Sequence, residues 1–276
     1  MTTTGPDQRP VTERAPRKPR PSLFGVLTLT AAVLLTIVTA WDWEYGVGLS
    51  LSEIWDGFTR PNSPMRGLLN PDFGQITSDR SRSAFIETFR MAVLGTAAGG
   101  LVALPLALWS TGYGAPNRVV KHVVRTFNNV IRAFPDLLWA LLFVAAVGIG
   151  ALPGLLALFF FSIAVVTKLT ADTLDGIDMG PIEAAHASGA SHTQMLRSAV
   201  VPQILPAYTS FFMYGFELNL RASAVIGLVG AGGIGRRLEF FRGRGDWEEV
   251  WGLVFMFLIV VFVVEQLSQI LRRRLV

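Results

Sequence analysis

From Leu137 to Thr167 the chain runs for thirty-one residues without a charged side chain. A bilayer core is about 30 Å thick and a helix crosses it in about 20 residues, so such a run belongs in hydrocarbon. It is too long for one crossing and too short for two. Two helices share it only if each continues past it at the inner end, to about Phe127 and to about Asp175. Pro153, next to Gly148, Gly150 and Gly154, then marks a tight outer turn. A helix from about Pro116 to Ala133, ending at Pro135, would lie partly in the interface before the span. Composition points the same way: 51% of residues are apolar and 16% charged, with a mean hydropathy of +0.46. That is a polytopic membrane protein rather than a soluble domain.

Counting runs in this way predicts an all-α integral membrane protein of about six transmembrane helices. The first is Leu23 to Trp41, the second Phe85 to about Trp109, and the shared run holds the third and fourth. The fifth runs from about Met195 to Ile226. The sixth, Trp247 to Ile270, is closed by Arg272, Arg273 and Arg274. Residues 1–22, with Arg9, Arg14, Arg17, Lys18 and Arg20 among prolines, read as a disordered basic cytoplasmic arm, and 23–276 as one membrane domain. A signal peptide is discounted because no small-residue cleavage site follows the first apolar run and Trp41-Asp42-Trp43 reads as an interfacial anchor. A short amphipathic helix is expected around Leu51 to Phe58 on the far side. With both termini inside, the positive-inside rule is met at the ends and broken in the last outer loop, where Arg236, Arg237, Arg242 and Arg244 fall. An outer basic mouth would suit an anionic solute.

Charges within spans are costly and rarely face lipid. Here they come as Glu87 with Arg90, Arg132 with Asp136, Lys168 with Asp172, and Glu217 with Arg221, each spaced to meet on one helix face. Such pairs serve either to neutralise each other for insertion and packing or, for Glu217 and Arg221, to line a solute path. There is no cysteine, and His122, His186 and His192 are too scattered for a metal site. No nucleophile, base and orienting group come together as an enzyme would need.

Two strings interrupt the membrane-like sequence. In residues 221–235, RASAVIGLVGAGGIG, five glycines fall within nine residues, so a helix breaks there in or near the membrane. Irregular backbone at that depth is tolerated only inside protein or against a water-filled cavity, which points to a gate or pathway. A dinucleotide fingerprint is set aside because no strand or βαβ unit surrounds it. In residues 183–202, EAAHASGASHTQMLRSAVVP, a short helix, Gly189 and a second amphipathic turn form a helix-turn-helix outside the bilayer, a segment built to dock something. An ordinary alanine-rich interhelical loop is the plain alternative.

The spacing of Glu183-Ala184-Ala185, Gly189 and Pro202 resembles the EAA loop of ABC-importer permeases. With RAFPDLLWALLFVAAVGIG (132–150), GPIEAAHASGAS (180–191) and the glycine string, the chain is similar to the phosphonate-transporter permeases over about its C-terminal two thirds. That resemblance implies the transmembrane-domain architecture of type I ABC importers, with a cytoplasmic coupling-helix loop, in the bacterial cytoplasmic membrane. It implies a homodimer of permeases in lipid, two cytoplasmic ABC ATPase subunits and an extracytoplasmic substrate-binding protein, with no nucleic-acid partner. The chain lacks G-x-x-x-x-G-K-[ST], so ATP and Mg are expected on the ATPase subunits and no cofactor on this chain. Glu183, Ala184, Ala185 and Gly189 are the implied coupling residues. Arg90, Arg221 and Arg236 are assigned to guiding an oxyanion, and Glu217, Gly230, Gly232, Gly233 and Gly235 to the path or gate. The implied solute is a phosphonate or a related oxyanion, phosphate or phosphite; a different small solute is the alternative.

Overall fold

The computed structural model describes residues 22–41, 51–60 and 62–273. The expected basic arm, apart from its last residue, and Asp42 and Trp43 of the expected anchor lie outside the described residues. The chain divides into two units, Met1–Arg60 and Pro61–Val276.

The first unit holds α1 (Leu23–Trp41) and α2 (Leu51–Thr59). α1 has no charged residue, and its side chains are exposed from Leu23 to Thr39. Its four threonines turn their hydroxyls back on the helix: Thr28, Thr30, Thr36 and Thr39 donate to the carbonyls of Phe24, Val26, Ala32 and Leu35. Hydrocarbon demands that internal satisfaction of polar groups. α2 is the short helix expected near Leu51 to Phe58.

The second unit contains α3 (Ser63–Leu69), a 3₁₀ turn (Gly74–Thr77), α4 (Asp79–Trp109), α5 (Arg118–Ala133), α6 (Asp136–Val147), α7 (Ala151–Leu174), α8 (Gly180–Ala187), α9 (His192–Met195), α10 (Val201–Gly227), α11 (Gly233–Arg244) and α12 (Trp247–Arg272). No strand occurs among the described residues. Four described helices, α1, α4, α7 and α12, are long and apolar enough to cross a membrane, and α5 with α6 makes a fifth if that bent pair is one span. α10 is long enough at 27 residues, but Glu217, Asn219 and Arg221 lower its apolarity. Its place as the expected fifth span comes from packing, because α4, α7 and α12 answer each of those polar groups.

α4 and α7 form the centre. Gly95, Gly99, Ala103 and Ala107 recur every fourth residue on α4 and are all buried, so the backbones approach closely, as small residues permit between membrane helices. A Cβ at Gly95 would lie 2.8 Å from that of Leu158 on α7. Asn219 ties α10 to both: its Nδ2 donates to Thr96 Oγ1 at 2.7 Å and to Ser162 Oγ at 2.6 Å. An interhelical hydrogen bond of this kind contributes about 0.6–2 kcal/mol.

Three expectations need correction. The third span does not continue helically back to Phe127. α5 ends at Ala133, Phe134 is extended at φ −86°, ψ 125°, and α6 turns 89° away. Pro135 supplies no N–H and disfavours helical backbone at the residue before it. The outer turn consists of Gly148 and Gly150, both at positive φ, whereas Pro153 and Gly154 lie inside the first turns of α7. The charges also pair differently. Lys168 and Asp172 meet, but among the described residues Glu87 is not paired with Arg90, Arg132 with Asp136, or Glu217 with Arg221. Glu217 accepts from Arg272 at 2.7 Å and Arg221 donates to Glu265 at 2.6 Å, both across to α12. Glu87 faces Arg236 of α11 at 3.7 Å.

Candidate functional site

The hairpin from α8 to α10 is held by local chemistry at each joint. Asp178 Oδ1 accepts from the Gly180 N–H at 2.9 Å, which starts α8. At its far end Gly189 takes φ +75°, the Gly189 N–H bonds the His186 carbonyl, and the Ala190 N–H bonds that of Ala185. These are the two bonds of a Schellman cap, and its left-handed residue is the reason a glycine stands there. Ser191 and Gln194 then make a reciprocal capping box for α9. Helix continues through a π-helical turn, Leu196–Val200, into α10. The π turn falls where the Pro202 ring would press on the carbonyl four residues back in an α-helix.

Only one side of the hairpin is buried. Ile182, Met195, Ala199, Val200 and Ile204 pack with Ala107, Ala171 and Leu174, near the C-terminal ends of α4 and α7. Gln203 bonds the Asp178 carbonyl. Beneath it, Tyr113 donates to the Leu174 carbonyl, while Arg125 reaches Ser110 O at 2.7 Å and Asp175 at 3.1 Å. Burial, then the negative charge of Asp175, pushes the Tyr113 phenol up to about 12. On the opposite side Glu183, Ala184 and Gly189 are exposed, whereas Ala185 is half-buried against the packed side; a Cβ on Gly189 would meet nothing within 4 Å. Of the assigned coupling residues, Glu183, Ala184 and Gly189 thus sit on the free face of a braced hairpin, and Ala185 does not.

The other assigned residues divide into two places. α10 ends at Gly227, Gly230 and Gly232 follow with φ of 91° and 86°, and Gly233, the first residue of α11, has φ 66°. The string is wedged between α4 and α7: Gly230 O accepts from the Gly150 N–H at 3.0 Å, and Ile234 N–H donates to Thr88 Oγ1 at 2.7 Å. A side chain at Gly232 would come within 2.9 Å of Ala151 Cα, and one at Gly233 within 2.5 Å of Thr88 Oγ1. Gly235 lies in α11 against the Ala224 carbonyl. Next to the string, the first half of α4 is flanked by two clefts, of about 580 and about 370 Å³. Arg90 and Arg82 line the larger, Arg236, Arg237 and Arg80 the smaller, and Asp79, Ser83 and Glu87 are common to both. Arg90 and Arg236 are therefore neighbours across Glu87. Arg221 and Glu217 are not part of this group, since both are committed to α12. Reasoning from sequence missed Glu265 and Arg272, which carry no helix-local signal for their partners. It also missed Arg80 and Thr88; Thr88 reads as an ordinary helix residue until α11 is seen above it.

Comparison with known proteins then places the chain. The family described as binding-protein-dependent transport system inner membrane component matches residues 84–276. The chain belongs to that family. This permease is 40% identical over 188 residues to the phosphate-import permease protein PhnE of Mycolicibacterium smegmatis, covering 68% of the permease and 35% of that relative. The permease thus spans about a third of that relative's length. Against the phosphite transport system permease protein PtxC of Stutzerimonas stutzeri it is 35% identical, with 88% and 87% of the two chains covered. A crystal structure of an amino acid ABC transporter matches with a TM-score of 0.61 at 22% identity, over 74% of the permease and 98% of that chain. At that identity the likeness speaks for the fold, which is that of type I ABC importer transmembrane domains, and not for the solute. As a family member the permease is an inner-membrane transport component rather than an enzyme.

Proposed function

We propose that the permease carries phosphonate or a related phosphorus oxyanion, phosphate or phosphite, into the cell, driven by ATPase subunits that dock on the Glu183 hairpin. The observation that carries the transport reading is the hairpin itself: an exposed Glu183-Ala184 face whose back, with Ala185, is packed on the ends of α4 and α7 and the start of α10. A force applied to that face moves three spans as one body, which is how closure of an ATPase pair can work at a distance. ATP and Mg reside on those subunits, a basic group of which meets Glu183. A second copy of the permease and an extracytoplasmic binding protein complete the assembly.

Two observations support the oxyanion. The clefts flanking α4 hold five arginines against two carboxylates, which favours entry of an anion while leaving binding weak enough for release. The relatives at 35–40% identity are named for phosphate and phosphite. The glycine string, adjoining both clefts, is the gate that hairpin movement opens. The test is uptake by proteoliposomes containing the permease, its ATPase and its binding protein, supplied in turn with phosphate, phosphite, methylphosphonate, sulfate and methionine. ATP-dependent uptake of at least one phosphorus oxyanion is expected. Uptake of methionine or sulfate alone would support the alternative of a different small solute.

A further inference from the structure

α11 begins against its own electrostatics. The amino end of a helix is the positive end of its dipole and favours carboxylates, yet the first turn of α11 has no acid and Arg236 and Arg237 follow at once. Arg236 is answered by Glu87. Arg237 has no carboxylate partner among the described residues. Its guanidinium is half-buried on the faces of Phe241 and Phe240, 4.6 and 5.3 Å from the ring centroids, and its Nε is covered without an acceptor. Burial, and then Arg80 on α4, pushes its pKa down. A covered N–H without an acceptor and two adjacent like charges both oppose folding. Contact with two rings set 76° apart confines the guanidinium at the cleft wall.

Both arginines border the cleft of about 370 Å³, together with Asp79, which has no ion-pair partner among the described residues. We infer that this cleft is an oxyanion seat, in which Arg80 and Arg237 bind a tetrahedral phosphorus oxyanion and Asp79 accepts the proton of its P–OH group. The inference rests on the proposed transport of such anions and adds the residues that would select among them. Planar guanidinium groups donate paired N–H bonds to two oxygens of one tetrahedral anion. The bare carboxylate sets the selectivity: phosphate, phosphite and phosphonates retain a P–OH over part of the neutral range, whereas sulfate has only acceptors and is repelled. Asp79 is exposed at the cleft rim, and an acceptor there disfavours the analogue without the proton, because the two acceptors face each other unpaired.

The chain has no cysteine, so Ser83→Cys, on the cleft wall, introduces one reporter thiol. Its rate of labelling by a methanethiosulfonate is measured in membranes holding the assembled transporter, with inorganic phosphate, methylphosphonate, sulfate or chloride at equal ionic strength. Phosphate and methylphosphonate should slow labelling several-fold, sulfate and chloride should not, and Arg80→Gln or Arg237→Gln should remove the protection. Without the reporter, either arginine variant should raise KM for phosphate uptake about tenfold. Arg237→Lys, which keeps the charge and the ring contact, should raise it several-fold at a normal level of assembled protein. Equal labelling in all four salts, with unchanged KM in both glutamine variants, would overturn the seat even if phosphate is carried. Equal protection by sulfate would overturn the role of Asp79. Protection by phosphate in a transporter that carries no phosphorus oxyanion would uphold the seat and overturn the transport reading instead.

Discussion

Glu217, 5% exposed in α10, accepts a hydrogen bond at 2.7 Å from Arg272 in the last turn of α12. One turn further along α10, Arg221 donates to Glu265 of α12 at 2.6 Å. The same two helices are therefore joined by two ion pairs of opposite polarity, one buried and one largely exposed. Arg272→Ala leaves the Glu217 carboxylate buried and unpaired. Removing one partner of a buried pair typically costs about 3–5 kcal/mol, and partial exposure of Arg272 places this case near the lower end. The expected outcome is a lower yield and a lower melting temperature of the purified complex. Glu217→Gln combined with Arg272→Met should restore both. Arg221→Gln, which breaks the rung whose side chains are 45% and 33% exposed, should cost less than Arg272→Ala. A larger effect of Arg221→Gln than of Arg272→Ala would contradict the assigned pairing.

Part of this arrangement was legible in the sequence and part was not, for a physical reason. Helix-local information survives: the first and last spans agree with α1 and α12 to within two residues, and the short helix near Leu51 agrees with α2. Gly189 and the broken backbone at Gly230 to Gly233 are where the spacing placed them, because a left-handed turn leaves its mark in residue type. Partner choice does not survive. Glu217 and Arg221 are four apart and could meet on one helix, but two long side chains of α12 compete for them, and nothing within α10 records that. The Pro135 break was visible, but the 89° turn after it depends on α6 packing against α7 through Trp139, Phe143 and Phe160, which stack with centroids 5.0–5.8 Å apart.

The glycine string predicts a graded response. Gly232→Val combines positive φ with contact against Ala151 backbone and the Glu87 carboxylate, whereas Gly243, with open space around it in α11, carries neither burden. Backbone strain of this sort costs about 1–3 kcal/mol per position. Gly232→Val and Gly233→Val should block uptake at near-normal levels of assembled complex, while Gly243→Ala should leave uptake intact and stabilise α11 slightly. If the string is the gate, ATPase activity should persist in the blocked variants, and cysteines placed there should change labelling when nucleotide is trapped in the partner. Identical labelling in both states would identify the segment as a static turn.

Tyr113 gives the inner brace a pH dependence of known sign. Its pKa is pushed up to about 12 in the folded chain, against about 10 in an unfolded one. The folded state therefore holds this proton more tightly, and the stability from the Leu174 bond is fully present below about pH 10 and lost as pH rises toward 12. The melting temperature of the purified complex should fall over that window. Tyr113→Phe should begin lower, having lost the bond, and should show a shallower fall between pH 10 and 12. Parallel curves for the two proteins would remove Tyr113 from the brace.

The hairpin separates the backbone requirement at Gly189 from a contact requirement at Glu183. Gly189 sits at φ +75° in open space, so a replacement there is penalised by conformation and not by collision. Asparagine tolerates that region and a β-branched residue does not, the difference being about 1–2 kcal/mol. Gly189→Asn should couple almost normally, whereas Gly189→Val should unwind the cap that orients α8 and lose most solute-stimulated ATPase activity. Glu183→Lys leaves the backbone untouched, because its side chain is exposed and takes no part in packing. It should insert and fold as the wild type does, yet fail to couple, since it now presents a positive charge to the basic group proposed on the ATPase. A charge reversal of that basic group should return part of the activity to Glu183→Lys alone. Full stimulation in both Gly189→Val and Glu183→Lys, in complexes of normal stoichiometry, would show that the ATPase docks elsewhere.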